Sequence, residues 1–530
     1  MWRVDVRTLG VAERALWAAF PHGGIVDLTG RARAAARTIR AEVIAALLLG
    51  AAPAEAGRIA AVRLTGARIT GTLDLGHGVI AVPLRLRGCE LDGVIDLTGA
   101  KARDLDLAGS TLAGLTAPLI EVDGNLDLSG CACSGPVTLT GAHIAGALDL
   151  QDARLMAAGA VAFLGNRLII DDDLVALRAR VDGEFRMAGA HVGGSVLFTG
   201  ATLRNEGGYA LHGPDMTVGA RFLARDGFAA HGEVRLAGLR ADGDLNFRGA
   251  LLSNPGGDAL LAYGIQTGGS VSLSEGFRAD GALRLSRSKI GGGLFLDHAC
   301  LANPVGDVIR CRNTQAQTLH LGPGVQASGI ADFRNSQFAN IRDEDATWPP
   351  QLRLSGLSYG DLVPPLAPAV RVAWLRRDVD GYHPRNYETL AAMYRNSGDD
   401  AGARLVLLAR ERERRAQLAW YAKAWSWLQE VTVGYGYRPL RAAGWLLAFL
   451  AVGTLVFGLH HPPPLGGVPH PAFNPFVYAL DLLIPLVDLG QRSAYDPQGP
   501  QRWLAYLMIA VGWVFVTTIA AGIARVLRPQ

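Results

Sequence analysis

The chain has 530 residues, more than one ordinary hydrophobic core accommodates, and it is therefore expected to form two or more modules. Apolar residues make up 49% of it and charged residues 19%, which is too apolar for a typical soluble protein and too polar for a protein lying wholly within a membrane. The formal net charge of +3 includes no dominant acidic or basic tail, so composition gives no reason to expect a nucleic acid partner.

Residues 1–58 are expected to form an N-terminal helical cap. Thr38 is suited to the N-cap of a helix from Ile39 to Leu49, and Gly50 is suited to ending that helix. Val43 and Leu47 fall on one face of this helix, which could therefore cover the open end of the module that follows.

Residues 59–362 carry a short apolar repeat. From Val62 onward, a pair of apolar residues separated by one other residue recurs every 10 or 11 positions, with Gly-Ala steps such as 66–67 and 99–100 between the pairs. This alternation predicts short strands with one buried face. Strands this short bury that face only by stacking on copies of themselves.

Further along the chain the repeat doubles to 48 or 49 residues. Two sets of positions keep this step, namely pentads that begin with glycine at 146–150, 194–198, 243–247 and 292–296, and asparagines at Asn205, Asn254 and Asn303. The pattern predicts a mainly β fold, a right-handed β-helix with rungs of about 22–25 residues. About twelve such rungs would stack roughly 4.8 Å apart between residues 62 and 340.

Arginine keeps the same 49-residue step at Arg186, Arg235 and Arg284, between residues expected to point inward. Alternation along a strand therefore predicts a row of arginines on the outer surface of the solenoid. Such a row could bind an anion or a protein partner, or it could be a solvated face that prevents aggregation of strand edges.

These repeats resemble the pentapeptide-repeat proteins and their looser β-helical relatives over roughly half of the chain. From the cap to the last apolar run, the chain also resembles a group of actinobacterial proteins labelled membrane-associated oxidoreductases. That second resemblance implies a redox activity at a membrane. The sequence itself contains no GxGxxG, CxxC, haem or flavin motif, and it predicts no catalytic, cofactor-binding or metal-binding residue and no cofactor.

After a Pro-rich linker at 363–369, residues 370–430 are expected to form a helical hairpin. The spacing of Tyr387, Tyr394, Gly398 and Ala403 is typical of one tetratricopeptide-type unit. A single unit forms no array, so a lever or collar is favoured over a peptide-binding groove.

Residues 431–530 are expected to form a membrane domain. The apolar runs at about 442–459 and 503–524 would be about 27 Å and about 33 Å long as helices, enough to cross a bilayer. Arginines flank the two outer ends of this pair of runs, which predicts a two-pass protein of the cell (inner or plasma) membrane with both termini and the β-helix in the cytoplasm.

Between these runs, residues 473–490 are too short and too interrupted by proline to span. They could re-enter the membrane, which would place Asp481, Pro485 and Asp488 beside a pore, or they could form an amphipathic helix with both aspartates in water. The order of span, loop and span resembles the pore module of two-span cation channels.

Pentapeptide-repeat proteins that carry such a module have a Tyr-Gly-x-x-Pro element before their first span. The same element is present here in Tyr435, Gly436, Arg438 and Pro439, and the resemblance implies that it lies at the membrane interface. The filter position that follows the pore helix holds residues 486–490 and no TxGYG sequence.

Together these features predict a membrane-anchored scaffold, sensor or interaction protein, with membrane lipid and a protein bound to the solenoid as its partners. The absence of a catalytic motif favours a protein that is not an enzyme. Two alternatives are a homo-oligomeric channel regulated by the solenoid and a membrane-associated oxidoreductase.

Overall fold

Stacked parallel strands dominate the computed structural model, which describes residues 8–30, 34–416, 439–465, 471–484 and 486–526. The chain divides into two units, Met1–Thr389 and Leu390–Gln530. The first unit contains a parallel β-solenoid of the right-handed type, with about 14 turns, which confirms the predicted repeat β-helix.

Each early turn of the solenoid has four short strands, which define four faces in chain order. The first face contains β1 Val26–Asp27, β3 Val62–Thr65, β7 Leu84–Arg87, β11 Leu105–Asp106, β15 Leu126–Asp127, β19 Leu148–Asp149, β22 Leu174–Val175, β25 Val196–Leu197, β28 Phe222–Leu223, β31 Leu245–Asn246, β34 Val271–Ser272 and β37 Gly293–Phe295. The second face begins with β2 Thr38–Arg40, β4 Arg68–Thr70, β8 Glu90–Leu91, β12 Thr111–Leu112 and β16 Ala132–Cys133. The third face begins with β5 Leu73–Asp74, β9 Ile95–Asp96, β13 Leu115–Thr116 and β17 Val137–Thr138.

The fourth face and the later, longer strands complete the solenoid. The fourth face contains β6 Val79–Ile80, β10 Lys101–Ala102, β14 Glu121–Val122, β18 His143–Ile144, β21 Ile169–Ile170, β24 His191–Val192, β27 Thr217–Val218, β30 Arg240–Ala241, β33 Gln266–Thr267 and β36 Lys289–Ile290. Longer strands join the second and third faces in β20 Arg154–Leu164, β23 Arg180–Arg186, β26 Thr202–His212, β29 Ala229–Arg235, β32 Leu251–Leu261, β35 Arg278–Arg284, β38 Cys300–Arg310 and β40 Gln326–Asp332, and β42 Gln351–Arg353 follows on the third. The fourth and first faces are joined in β39 Gln315–Leu321, β41 Gln337–Asp343 and β43 Ser358–Val363.

Alternation along each strand separates the core from the surface. In β7, Leu84 and Leu86 are buried while Arg85 and Arg87 are exposed. Because equivalent residues of successive turns lie directly above one another, the buried side chains form continuous ladders. Aromatic rings continue this core in the middle turns, where Phe163 and Phe185 stack with their centroids 4.2 Å apart.

The doubled repeat arises because turns of two lengths alternate. From Leu148 to Leu174 the step is 26 residues, and from Leu174 to Val196 it is 22. The longer turns contain the 11-residue strands β20, β26, β32 and β38, and the strands that stack on them have only seven residues. The extra residues leave the ladder as a bulge, so that 157–160, 205–208, 254–257 and 303–306 protrude from every second turn.

One glycine of the next turn lies beneath each protruding loop. Gly232 has φ of +123°, and a Cβ atom at that position would lie 2.4 Å from the carbonyl oxygen of Asn205. Gly183, Gly281 and Gly329 occupy the equivalent positions with the same backbone conformation. The recurring asparagine closes the loop above, since Asn205 Nδ2 donates to the carbonyl oxygen of Tyr209 at 2.9 Å.

The N-terminal end is covered by helices α1 (Val11–Ala19), α2 (Ala34–Arg37) and α3 (Ala41–Leu48), with a 3₁₀ turn at Phe20–His22. Thr38 does not cap a helix, so this detail of the prediction is wrong. Residues 38–40 form β2 because their backbone pairs with Arg68–Thr70, and the helix begins only at Ala41. It ends just before Gly50, whose φ of +94° suits the end of a helix.

A buried carboxylate, Glu13, fixes this cap. Arg40 Nε donates to Glu13 Oε1 at 2.8 Å, and the backbone amides of Arg40 and Gly10 donate to the same carboxylate at 3.0 and 2.7 Å. Burial opposes ionisation of Glu13, but the hydrogen bonds from Arg40 and from the two amides outweigh it and lower the pKa of Glu13.

The opposite end of the solenoid is covered by helix α4 (Pro368–Leu375), which follows a 3₁₀ turn at Asp345–Thr347. Arg371 of this helix is 1% exposed and forms a two-pronged ion pair with the buried Asp343 of the last full turns, at 2.6 and 2.8 Å. Trp348 Nε1 also donates to Asp343, and Trp374 packs against Trp348 with ring centroids 5.2 Å apart.

Five further helices lie in the described part of the chain after α4. Helices α5 (Pro384–Asn396) and α6 (Asp400–Ala416) lie in the segment predicted to form a hairpin, and Gly398 between them has φ of +82°. The second unit then contains α7 (Pro439–Leu459), α8 (Pro475–Leu483) and α9 (Pro500–Val526).

Helices α7, α8 and α9 pack on one another around Phe457, Tyr478, Leu482 and Met508. The apolar runs predicted at 442–459 and 503–524 lie within α7 and α9. Among the residues that the structure describes, no helix combines the length and the hydropathy needed to cross a membrane. The structure thus supports helices at both positions and does not support the prediction that they are transmembrane helices.

Replacing Gly232 with alanine is expected to destabilise the solenoid. The new Cβ would meet the carbonyl oxygen of Asn205 and would hold an unfavourable φ, at a cost of about 1–3 kcal/mol or more. Thermal unfolding of the full chain, followed by circular dichroism, should show a lower midpoint. Gly306→Ala is the matched control, because its Cβ would lie 3.4 Å from Asn303 Nδ2; an equal loss in both variants would contradict the proposed role of Gly232.

Glu13→Gln is expected to weaken the N-terminal cap at neutral pH and to reduce its acid sensitivity. A carboxylate with a lowered folded pKa stabilises the protein above its unfolded pKa, and this contribution is lost as pH falls through the folded value. Unfolding midpoints between about pH 3 and pH 7 should therefore converge for the native chain and the variant at the acid end. Glu42→Gln, which removes an exposed partner of the same Arg40, should leave the acid slope unchanged.

Candidate functional site

A shallow groove of about 650 Å³ crosses the last third of the solenoid on its fourth face. Its outer wall is a ladder in which Arg240, Gln266, Lys289, Gln315 and Gln337 stand above one another on five successive turns. Each follows the corner that begins the fourth face, so its side chain points away from the buried residue that comes next, as in Arg240–Ala241. The outer wall of the groove therefore presents three amides and two cations at a regular spacing.

Two residues after the wall residue, the chain again points outward, and this position forms the floor of the groove. The floor is low on two turns because this residue is glycine, Gly268 after Gln266 and Gly291 after Lys289. A Cβ at Gly268 would lie 2.1 Å from the carbonyl oxygen of Asp242, and one at Gly291 would lie 2.2 Å from that of Gly268. At these two turns, neighbouring backbones approach too closely for any side chain. Gln317 and Ala339 continue the same floor on the later turns.

The two cations of the groove have no ion-pair partner among the described residues. Within the described part of the chain, neither Arg240 nor Lys289 forms an ion pair within 4.0 Å, and Asp242 is the one carboxylate among the lining residues. Lys101 occupies the same ladder six turns before Arg240 and is paired with Glu121 of the adjacent turn at 2.6 Å. The groove differs from the remainder of this face in having exposed positive charge beside amide groups that both donate and accept hydrogen bonds.

The predicted arginine row is present on the second and third faces, where Arg186, Arg235 and Arg284 end equivalent strands. Each lies beside an oxygen-bearing side chain of the same or a neighbouring turn. Arg186 donates twice to Glu184 at 2.8 Å, Arg284 Nε lies 2.6 Å from Asp258 Oδ1, and Arg235 donates to the hydroxyl of Tyr209 at 3.1 Å. The row is partly neutralised in this way, and a role in binding anions or partners remains a prediction.

The solenoid also holds four of the five cysteines in its interior. Burial raises the pKa of the Cys89 thiol to about 11 and that of Cys131 and Cys133 to about 12. Thiols held neutral in this way are poor nucleophiles and poor metal ligands. In the described ranges, no group of three histidine, cysteine, aspartate or glutamate side chains converges as a metal site.

Asp481, one of the residues predicted to border a pore, is a buried residue of α8 in the second unit. Its carboxylate accepts hydrogen bonds from the backbone amides of Leu489, Gln491 and Arg492, at 2.9, 3.0 and 2.7 Å. These bonds tie the loop after α8 back to the helix and engage both carboxylate oxygens. The geometry gives Asp481 an evident structural role in folding this loop.

The other residues predicted around the apolar runs divide into two groups. Asp488 is exposed and accepts a bond from the amide of Gly490 at 2.8 Å, as in a local turn. Pro439 begins helix α7. Pro485, Tyr435, Gly436 and Arg438 lie outside the described residues.

No protein-family model, curated protein or solved structure matches this chain. The stacked turns are consistent with the resemblance to repeat β-helices. The resemblance to membrane-associated oxidoreductases gains no support from these comparisons.

The groove was missed by sequence reasoning, although the sequence contains a signal for it. Gln266, Lys289, Gln315 and Gln337 follow one another at steps of 22 to 26 residues, which is the length of one turn. The apolar repeat identifies which residues point inward. Reading the residue just before each buried position of the fourth face would have found the polar ladder.

Asp481→Asn is expected to loosen the loop after α8 without unfolding the solenoid. The amide side chain would replace one accepting oxygen by a donor, so that at least one of the three backbone amides loses its partner, at about 1–3 kcal/mol. Hydrogen exchange measured by mass spectrometry should show faster exchange at Leu489, Gln491 and Arg492.

Asp488→Asn is the matched control for this experiment, because Asp488 is exposed and an asparagine retains the local turn. Unchanged exchange in Asp481→Asn would contradict the structural role of this carboxylate. A discrete membrane current that is altered by the same substitution would instead favour a pore.

Proposed function

We propose that this chain is a membrane-attached scaffold, in which the β-solenoid binds a protein partner and the C-terminal helical unit contacts lipid. The observation that carries the proposal is the groove over Arg240, Gln266, Lys289, Gln315 and Gln337. It combines a glycine-lined floor with two cations that have no counter-charge within 4.0 Å in the described chain.

A binding role fits the construction of the solenoid better than catalysis. The turns present repeated outward positions at a constant spacing, so that an extended partner would make the same kind of contact on several turns. The buried cysteines are poor nucleophiles because burial raises their pKa. The buried ion pair of Arg371 with Asp343 lies at the end of the solenoid, where it holds the cap.

Attachment to lipid is supported by the apolar outer surfaces of α7 and α9. Leu447, Leu455 and Leu459 of α7 are 66%, 64% and 69% exposed, and Trp503 of α9 is 75% exposed. Large apolar side chains exposed together in this way mark a surface that meets lipid or another apolar partner. Tryptophans near a helix end are typical of the membrane interface. In this proposal the chain belongs to the cell membrane, with the solenoid on the cytoplasmic side.

A homo-oligomeric channel formed by the second unit is a weaker proposal. The carboxylate of Asp481, on which the idea of a re-entrant pore depended, is engaged by three backbone amides. A redox activity rests on the sequence resemblance to membrane-associated oxidoreductases alone.

A photo-crosslinking experiment in cells tests the scaffold. With p-benzoylphenylalanine placed at Gln315 of the full chain, irradiation should give a discrete adduct of higher mass, identifiable by mass spectrometry, which disappears when Lys289→Glu is added. The same photoreactive residue placed at Ile169, an exposed position on the same ladder outside the groove, is the matched control and should give no such adduct.

The same cells test the attachment to lipid. The full chain should remain with the membranes after washes at high salt and at about pH 11, because apolar contacts resist both treatments. Adducts of equal yield at Gln315 and Ile169 would contradict a partner site in the groove. Complete release of the chain by the washes would contradict attachment through α7 and α9.

A further inference from the structure

The spacing of the groove residues restricts the conformation of a partner. Arg240 and Lys289 are two turns apart on the ladder, with Gln266 between them. Stacked parallel strands are separated by about 4.8 Å, so the two cations lie about 9.6 Å apart along the axis of the solenoid. From Arg240 to Gln337 the wall covers four such steps, or about 19 Å.

A polyproline II segment has nearly the same repeat. It rises about 3.1 Å per residue with three residues per turn, so that every third side chain lies on the same face, about 9.3 Å further on. A β-strand fits this spacing less well, because its side chains return to the same face after about 6.6 Å. Six residues of a polyproline II segment would extend over about 19 Å, the length of the wall.

The chemistry of the wall also suits such a segment. A polyproline II backbone forms no internal hydrogen bonds, so its carbonyl and amide groups are free to pair with a partner. Gln266, Gln315 and Gln337 can each donate a side-chain N–H to a backbone carbonyl, a group that proline retains. Two cations against the single carboxylate of Asp242 leave an excess of positive charge, which favours acidic side chains on the ligand.

We infer that the groove binds an extended acidic peptide segment in the polyproline II conformation, with carboxylates three residues apart placed on Arg240 and Lys289. The inference rests on the proposed scaffold function and specifies its partner. The flat, glycine-lined floor at Gly268 and Gly291 allows the peptide backbone to approach the solenoid closely. The chemical class recognised is a proline-rich sequence with acidic residues at every third position.

Two peptides of the same composition test the spacing. Fluorescein-labelled Glu-Pro-Pro-Glu-Pro-Pro-Glu places its carboxylates three residues apart, whereas Pro-Glu-Pro-Glu-Pro-Glu-Pro places them two apart. Fluorescence anisotropy with purified full chain in detergent micelles at low salt should show binding of the first peptide at least about fivefold tighter than that of the second. Raising the salt concentration should weaken the binding, since the cations are exposed.

Substitutions on the ladder test the position. Lys289→Ala should weaken binding of the first peptide by about tenfold, and Arg240→Ala should act in the same direction. Lys101→Ala is the matched control and should change binding by less than about twofold, because Lys101 lies on the same ladder outside the groove and is already paired with Glu121. All three positions are exposed, so the fold should tolerate each variant.

Several results would overturn the inference. Equal binding of the two peptides would contradict the match to a three-residue spacing. Equal effects of Lys289→Ala and Lys101→Ala would contradict the groove as the binding site. Binding of an anionic polysaccharide such as polygalacturonate, sensitive to Lys289→Ala, with no binding of either peptide, would assign the groove to a glycan. A crosslinked partner at Gln315 together with failure of both peptides would refute this ligand class while leaving the scaffold function in place.

Discussion

The hydrogen bonding of each solenoid turn to the turns before and after it is the constraint on which the rest of the structure depends. Leu105 and Leu107 donate their backbone amides to carbonyls of the following turn at 3.1 and 2.9 Å, and this pattern continues along the chain. Because the turns are in parallel register, each sequence position becomes a ladder. When the residues of one ladder are all apolar, all charged or all amides, the whole face of the solenoid therefore has that character.

The same constraint explains where the solenoid is open and where it is sealed. The end turns have backbone groups with no further turn to pair with, and an ion pair on a buried carboxylate lies at each end. Glu13 pairs with the half-buried Arg40 at the N-terminal end, and Asp343 pairs with the buried Arg371 at the other. For a fully buried pair such as Asp343 with Arg371, replacement by apolar side chains is often neutral for stability, whereas loss of one partner is costly. The contribution of this pair is therefore to fix the position of the cap. On the fourth face, Gly268 and Gly291 lie where neighbouring backbones approach too closely for a side chain, and the floor of the groove is low at these two turns.

The periodic parts of this fold could be predicted from the sequence, and the exceptions to periodicity could not. The alternation of Leu84 and Leu86 with outward arginines predicts a β-strand, shows which of its faces is buried, and implies that the strand stacks on copies of itself. The 49-residue step of Asn254 was visible, but its cause, a loop that leaves the ladder above a glycine such as Gly281, depends on contacts between turns. Thr38 illustrates the limit of local rules, because a good N-cap residue is drawn into a strand when Arg68–Thr70 offers it a parallel partner.

The candidate sites divide in the same way. The outward position of Arg186 follows from alternation, but its pairing with Glu184 depends on rotamers that no pattern encodes. As an acidic residue between two apolar runs, Asp481 was predicted to border a pore, but its contacts hold the loop after α8. Which of the two roles it has depends on the path of the backbone after α8, which the sequence pattern does not show. The groove depends on both kinds of information, because its polar ladder is periodic while the depth of its floor comes from the approach of neighbouring backbones.

The alternation of long and short turns has a consequence for how such a chain can change its length in evolution. A loop like 205–208 requires a positive-φ glycine such as Gly232 on the turn that follows, so two turns form the smallest unit that is complete in itself. Duplication or deletion of 48 or 49 residues would preserve every loop with its glycine, while loss of a single turn would place two loops over one another. Within the part of the solenoid that has these loops, lineages of this protein should therefore differ in length by pairs of turns, so that the length of this part varies in steps of about 9.6 Å.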